Sequence, residues 1–239
     1  MARLHFVVLL LLTQIGWATL SVAQNSATDL QGVYKDASNA DNILVMQDGY
    51  FSVTSFSSEP SNFIYTLGGH YETQGSELNV EIDFHSADAS LVGEYFAIPM
   101  VYDGKTLTVD RPDGFEQKWI KQDESSQGLA GIWRISGRKV NDEIQSIPKR
   151  ARQTLKVLSD ERFQWIAMNT ETGEFFGTGG GRYTYKNGKY TEHIEFFSRD
   201  NSRVGMKLEF NGEVIDGNWH HSGKSSKGSP IYEIWSKVK

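Results

Sequence analysis

The 239-residue chain contains no cysteine, so neither disulfides nor a lipid-modified cysteine can brace or anchor it. A chain without disulfides depends on its hydrophobic core alone, which disfavours domains smaller than about 40 residues. Basic residues are also fewer than acidic ones. There are 24 Lys and Arg residues against 30 Asp and Glu, which gives a net charge of −6. Because nucleic-acid affinity comes mainly from phosphate neutralisation, we expect no nucleic-acid partner.

Long apolar runs are missing as well. No strongly apolar run reaches the length of about 20 residues that a membrane-spanning helix needs. The strongest run is Phe6–Leu12, which follows a single charge at Arg3. Small residues then occupy the positions that a signal peptidase reads, in Ser21–Ala23. The pattern predicts a signal peptide over residues 1–23 and a secreted or periplasmic mature protein without stable membrane insertion. A retained membrane anchor is the alternative.

The rest of the chain contains one unit twice. A shift of 112 residues aligns Asp48–Gly93 with Asp160–Gly205 without a gap and gives 15 identities in 46 positions. The unit starts, Gly32 and Gly131, are only 99 residues apart, so the second copy carries 13 extra residues before Leu155. This self-similarity indicates a domain duplication, because its period is far longer than that of a solenoid repeat.

The repeat also predicts the domain limits. Residues 122–128 are polar and suit a flexible linker. We therefore expect a first domain over 24–121 and a second over 129–239, each of normal domain size.

Local patterns within each unit are those of β-strands. Apolar and polar residues alternate over Leu78–Phe84, as in a strand with one buried face. Turn pairs such as Asp48-Gly49, Asn187-Gly188 and Asn211-Gly212 interrupt such segments every 8 to 12 residues. The sequence therefore predicts an all-β protein of two tandem antiparallel barrels. The insertion of the second copy is expected to form one short helix, at about Pro148–Thr154, or a lid loop.

Three parts of the second unit carry a resemblance to a known family. They are Gly131–Trp133 at its start, Gly179–Tyr185 with Tyr190–Phe196 in its middle, and Tyr232–Trp235 at its end. Together they resemble lipocalin-like domains of unknown function from secreted bacterial proteins. The resemblance implies a calycin-type barrel with an internal cavity, and it implies no activity. Lipocalins proper bind small apolar molecules, but a shared fold does not fix function.

The two copies differ on the face that should point inward. Glu192 aligns with Val80, and Glu233 aligns with Gln117. A core-facing carboxylate is costly unless it is paired or solvated. In the penultimate strand, Trp219 is aligned with Arg111. Aromatic residues with a few polar groups around one interior are typical of a ligand site. The candidate ligand-binding residues are Trp165, Tyr183, Tyr190, Glu192, Trp219, His221 and Glu233.

Three functions are compatible with these residues. The favoured hypothesis is a small-molecule-binding protein whose second barrel holds an amphipathic or apolar ligand. Alternatively, Glu192 and Glu233 form an acid/base pair of an enzyme, or the barrels are a cell-surface interaction module without a ligand. A purely structural interpretation is that both carboxylates accept hydrogen bonds within the barrel. The oligomeric state stays open.

No catalytic residue, metal or cofactor is assigned from the sequence. His220 and His221 are adjacent on a strand and therefore face opposite sides, which disfavours a shared metal. The segment Gly177–Gly181 loosely resembles haem-binding nitrobindin-type barrels, but it lacks the tryptophan expected there. The basic insertion Ile135–Thr154 is interpreted as a lid over the second barrel or as a solvated loop.

Overall fold

A computed structural model describes residues 29–111, 113–123 and 126–238. The predicted signal peptide over 1–23 lies outside these residues. Within the described part of the chain, no helix is long and apolar enough to cross a bilayer.

Eight antiparallel strands form the first barrel. Each strand pairs with its neighbour in sequence, and β1 closes the barrel by pairing with β8. The strands are β1 Gly32–Asp36, β2 Asn42–Gln47, β3 Tyr50–Ser58, β4 Ser61–Gln74, β5 Glu77–His85, β6 Tyr95–Tyr102, β7 Thr106–Asp110 and β8 Glu116–Lys121.

The second barrel repeats this plan with one addition. Eight of its strands close through the pairing of β9 with β17, while β10 extends the sheet as a hairpin with the end of β9. The strands are β9 Gly131–Val140, β10 Glu143–Ser146, β11 Arg152–Leu158, β12 Arg162–Asn169, β13 Phe175–Lys186, β14 Lys189–Phe197, β15 Lys207–Ile215, β16 Asn218–Lys224 and β17 Pro230–Lys237. The prediction of two tandem antiparallel barrels is therefore confirmed.

The helix predicted at Pro148–Thr154 is wrong. The segment is irregular up to residue 151, and β11 begins at Arg152. Because β11 pairs with β9 on one side and β12 on the other, the closed barrel requires an extended strand here. The described helical segments are two 3-10 turns, Ala89–Leu91 and Asn201–Arg203.

The predicted tight turns are correct at Asp48-Gly49 and Asn187-Gly188, where both residues of each pair have positive φ, as type I′ hairpins require. The third one is wrong. Asn211-Gly212 lies inside β15, and the hairpin turns instead at Asp216-Gly217, with φ values of 49° and 76°.

A shared hydrophobic cluster joins the outer faces of the two barrels. It is built from positions that the duplication makes equivalent, and the Phe56 and Phe196 rings from opposite barrels stack with centroids 5.3 Å apart. Both partners thus use the same patch, as in a twofold interface. The equivalent pairs in this inter-barrel interface are Val33 with Ile132, Ile43 with Leu155, Val45 with Val157, Phe56 with Met168, and Phe84 with Phe196.

A β-bulge in each barrel supplies an aromatic ring to this interface. Pairing skips one residue at Asp83, so that Phe84 leaves the barrel interior and enters the interface. Its ring lies over Gly68, where an added Cβ would come within 2.8 Å of Phe84 Cζ. The second barrel repeats the bulge opposite Gly180-Gly181. Gly68 and its counterpart Gly180 thus leave room for the Phe84 and Phe196 rings of the interface, while Gly69 and Gly181 allow close approach of the neighbouring strand backbone.

Gln164 is the polar centre of the interface. Its Oε1 accepts hydrogen bonds from Ser52 Oγ at 2.6 Å and Thr54 Oγ1 at 3.2 Å, across the two barrels. Its Nε2 donates to Thr66 Oγ1 and Thr178 Oγ1, both at 3.0 Å. Gln164 is 3% exposed. A buried amide that is satisfied on both sides fixes one relative position of the barrels, because any displacement leaves polar atoms without partners.

Replacement of Gln164 tests this role. Gln164→Ala leaves four buried hydroxyls without their amide partner, and each such loss costs about 1–3 kcal/mol. We expect the free energy of unfolding to fall by at least about 2 kcal/mol in urea titrations. The control is Gln145→Ala on the exposed strand β10, expected within about 0.5 kcal/mol of wild type. Equal effects of the two variants would contradict a central role for Gln164.

Candidate functional site

A buried ion pair lies inside the second barrel. Lys156 on β11 points inward, and its Nζ is 2.8 Å from Glu192 Oε1 on β14. The two side chains are only 5% and 6% exposed. The inward carboxylate predicted at Glu192 is therefore paired, as a charge in a barrel core must be.

Three aromatic rings surround the same ammonium group. Lys156 Nζ lies 5.0 Å from the ring centroids of Tyr190 and Trp219, and 5.2 Å from that of Trp235. These distances are those of cation–π contacts, which gain strength where water is excluded. The rings thus contribute to holding a charge in the core.

Next to this pair, His221 on β16 faces Glu233 on β17. His221 Nδ1 lies 3.3 Å from Glu233 Oε2, which also accepts a hydrogen bond from Trp235 Nε1 at 3.2 Å. Burial alone would raise the pKa of Glu233, but the His221 imidazole and the Lys156 ammonium outweigh it and hold this pKa below its usual value. Burial, reinforced by Lys156, lowers the pKa of His221. At neutral pH the cluster therefore has an ionised Glu233 and a neutral His221.

A pocket of about 240 Å³ is bordered by both pairs of side chains, Lys156 with Glu192 and His221 with Glu233. Of the predicted site residues, Trp165, Glu192, His221 and Glu233 line this pocket. Trp235, which the sequence analysis did not include among them, lines it as well.

The remaining predicted residues, Tyr183, Tyr190 and Trp219, do not line that pocket. They are at most 1% exposed and belong to the packed core. The Tyr183 hydroxyl donates to the Ser159 carbonyl at 2.7 Å, and the Tyr190 ring packs edge-on against Trp219 at 4.8 Å. Their bulk fills much of the interior of the second barrel.

Sequence reasoning missed Lys156, although a signal for it exists. The shift of 112 residues places Lys156 opposite Leu44, an apolar residue of the first barrel core. Lys156 lies four residues upstream of Asp160, where the gap-free match of the two copies begins. The first barrel therefore has Leu44 and Val80 where the second has a lysine and a glutamate.

The predicted alignment of the penultimate strand was also wrong. Trp219 pairs with Trp235, as Leu107 pairs with Trp119 in the first barrel. Trp219 is therefore the counterpart of Leu107 and not of Arg111. The misplaced turn at Asn211-Gly212 caused this error of four residues.

The first barrel has the larger internal cavity, of about 400 Å³. Its lining is mainly aliphatic and aromatic, and it includes Leu44, Met46, Phe51, Val53, Leu67, Leu78, Val80, Ile82, Phe96, Ile98, Leu107, Val109 and Trp119. The strand pairings explain the difference between the barrels. Leu78, Ile98 and Leu107 occupy the positions of Tyr190, Phe210 and Trp219. Smaller side chains leave space that the second barrel fills.

The described residues do not contain the kind of ligand set that a metal ion requires. No group of three or more His, Asp or Glu side chains there is placed to hold a metal ion.

Comparison with known proteins adds one match. Residues 128–239, the second barrel, match the model of a family described as a domain of unknown function (DUF4488). No curated protein matches the chain.

The buried pair can be tested against the residues of the first barrel. Lys156→Leu or Glu192→Val alone leaves an uncompensated buried charge, and we expect each to lower the free energy of unfolding by about 3–5 kcal/mol. The double variant, which copies Leu44 and Val80, should be close to wild type or more stable. Urea titration followed by tryptophan fluorescence and read as a double-mutant cycle measures the coupling.

Lys207→Leu is the control, because Lys207 and Glu209 form an exposed ion pair at 3.3 Å. It should change stability by less than about 1 kcal/mol. Additive effects of Lys156→Leu and Glu192→Val would show that the two side chains do not depend on each other.

Proposed function

We propose that the protein binds small molecules inside its barrels, with the first barrel as the main site for an apolar or amphipathic ligand. The supporting observation is the apolar cavity of about 400 Å³. Cavities of about 300–1,000 Å³ with mostly apolar walls are typical of small-molecule sites. The interior of the second barrel is more tightly packed, so our emphasis moves from the second barrel, which the sequence favoured, to the first.

The polar residues of this cavity suggest how such a ligand would be oriented. Apolar side chains form most of the lining, while His85, Arg111, Asp113 and Gln117 also border the cavity. Arg111 and Asp113 are about half exposed and form an ion pair at 2.5 Å. An amphipathic ligand would place its apolar part among the aliphatic side chains and its polar end near Arg111.

The pocket of the second barrel remains a second candidate, for a smaller and more polar ligand. It is favoured by the nitrogen His221 Nε2, which is buried and has no hydrogen-bond partner among the described residues. Because His221 borders the pocket of about 240 Å³, a ligand oxygen or hydroxyl there could satisfy this nitrogen.

An enzymatic role for Glu192 and Glu233 receives less support. Glu192 is paired with Lys156, and Glu233 contacts His221 and Trp235. A general acid at neutral pH needs a raised pKa, whereas that of Glu233 is lowered. The proposal therefore assigns neither carboxylate a catalytic role.

The same proposal places the protein outside the cytoplasm. Its support is the apolar run Phe6–Leu12 followed by Ser21–Ala23. We expect expression of the full chain in a bacterial host to yield an exported protein that begins at Gln24. Cell fractionation and intact mass measurement check this. An uncleaved chain in the cytosol would contradict it.

Ligand binding can be tested with the fluorescent probe 1-anilinonaphthalene-8-sulfonate, which has an apolar body and an anionic end. Ile98 is partly buried and borders the first cavity, so Ile98→Trp fills it. We expect this variant to bind the probe at least about tenfold more weakly than wild type, because the displaced probe loses apolar contact area.

Leu208→Trp is the matched variant, since Leu208 borders the pocket of the second barrel. It should leave probe affinity within about twofold of wild type. Thermal unfolding of both variants checks that they are folded. If Leu208→Trp weakened binding and Ile98→Trp did not, the second barrel would be the main site, and our assignment would be wrong.

A further inference from the structure

A groove of about 850 Å³ lies beside the inter-barrel interface, outside both barrel cavities. One wall belongs to the first barrel and carries Tyr50, His70 and Asp83 on β3, β4 and β5. The other wall belongs to the second barrel and includes Arg134 on β9 and Lys149 in the loop before β11. Acidic and basic side chains therefore face each other across it.

The duplication supplies an internal comparison for this groove. Its twofold counterpart has Arg162, Arg182 and Glu195 at the positions of Tyr50, His70 and Asp83, and measures about 360 Å³. There Glu195 forms an ion pair with the buried guanidinium of Arg162. Arg182 Nε also lies 3.8 Å from Glu195 Oε1. The counterpart groove therefore contains its own cations.

The larger groove lacks these arginines. Asp83, the bulge residue, has a side chain that is only 16% exposed, and it has His70 Nε2 at 3.6 Å. Burial raises the pKa of Asp83, and His70, Tyr50 and the charge of Lys149 offset only part of that effect. Where the counterpart has two guanidinium groups, this carboxylate has an imidazole and a phenol beside it and the exposed Lys149 on the opposite wall. A buried carboxylate gains most from a permanent positive charge, and this position is open to one from a ligand.

Tyr50 strengthens this argument. Its side chain is 1% exposed, and its hydroxyl lies close enough to Asp83 for the carboxylate to raise the pKa of the phenol further, beyond the effect of burial. The Tyr50 hydroxyl therefore lies beside the Asp83 carboxylate, in the buried part of the groove. A ligand amine at Asp83 would also be in reach of that oxygen.

The opposite wall suits an anion. Arg134 is partly exposed, and its Nη1 is held by the carbonyls of Ile135 and Ile147 at 2.7 and 3.1 Å, which fixes the position of its charge. Lys149 is exposed, and Lys237 is about half exposed and lies 3.8 Å from Asp48. Positive charges that are fixed or free to rotate into a groove are ready to bind a carboxylate.

We propose that this groove binds a zwitterion of the short-peptide type, with its ammonium group at Asp83 and Tyr50 and its carboxylate at Arg134 and Lys149. The volume of the groove exceeds that of a single amino acid and falls in the range of small-molecule sites. The edge-on pair of Tyr50 and His70, with ring centroids 5.0 Å apart, forms an aromatic side to the ammonium position. This site is independent of the barrel cavities.

The test uses the complete mature chain with triglycine as the probe. Two blocked peptides, N-acetyl-triglycine and triglycine amide, each lack one of the charges. In amide-resolved NMR titrations, triglycine should shift the signals of β3 to β5 and of the loop around Lys149. Each blocked peptide should bind at least about tenfold more weakly, because each loses a charge-assisted contact.

Two variants locate the charges. Asp83→Asn and Lys149→Ala should each weaken triglycine binding by about tenfold, while Asp41→Asn in the counterpart groove should not change it. Thermal unfolding of the same samples checks folding. If triglycine does not shift the groove, or the blocked peptides bind equally well, the proposal is wrong. Absence of binding together with loss of stability in both Asp83→Asn and Lys149→Ala would instead make Lys149 the partner of Asp83.

Discussion

The packing of one barrel against the other is the constraint on which the rest of this molecule depends. The same patch on each barrel forms it, and Phe84 and Phe196 enter it through matching bulges. Gln164 sets the relative position of the two barrels with hydrogen bonds from both amide atoms. Each barrel thus uses its outer face for the contact and keeps its interior free to differ.

The interiors have diverged in opposite directions. The second barrel places a lysine among aromatic rings and pairs it with Glu192, which leaves only a small pocket. The first barrel has aliphatic side chains at the corresponding positions and encloses a larger, apolar cavity. One frame therefore supports two different environments, since closure of the barrel depends on backbone pairing and not on which side chains fill it.

Much of the fold could be predicted from the sequence, because strand alternation and Asp-Gly turns are local signals. The helix at Pro148–Thr154 could not be excluded, since only barrel closure requires an extended β11 there. The inward direction of Phe84 was inferred from a period of two, which the bulge at Asp83 breaks. Asp216-Gly217 carries the same turn signal as Asn211-Gly212, and the turn predicted at Asn211-Gly212 shifted the strand that follows by four residues.

The candidate site was predicted in part for similar reasons. Glu192, His221, Glu233 and Trp165 do border one pocket. Whether an aromatic residue fills a barrel or lines a cavity depends on how large side chains from several strands meet. No single strand pattern carries that information, so the sequence could not predict which barrel has the larger cavity.

The position of Gln164 has a consequence for the history of the chain. Gln164 and Ser52 are equivalent in the duplication, and they bond to each other across the interface, a long side chain meeting a short one. Two identical subunits would have to present two glutamines or two serines at this point. Two glutamines would be too large for the space, and two serines would leave part of it empty. A fused chain, unlike a homodimer, can mutate one half without the other. Once such a complementary pair is established, a return to identical halves would reduce the side-chain complementarity of the interface. The fusion therefore becomes hard to reverse.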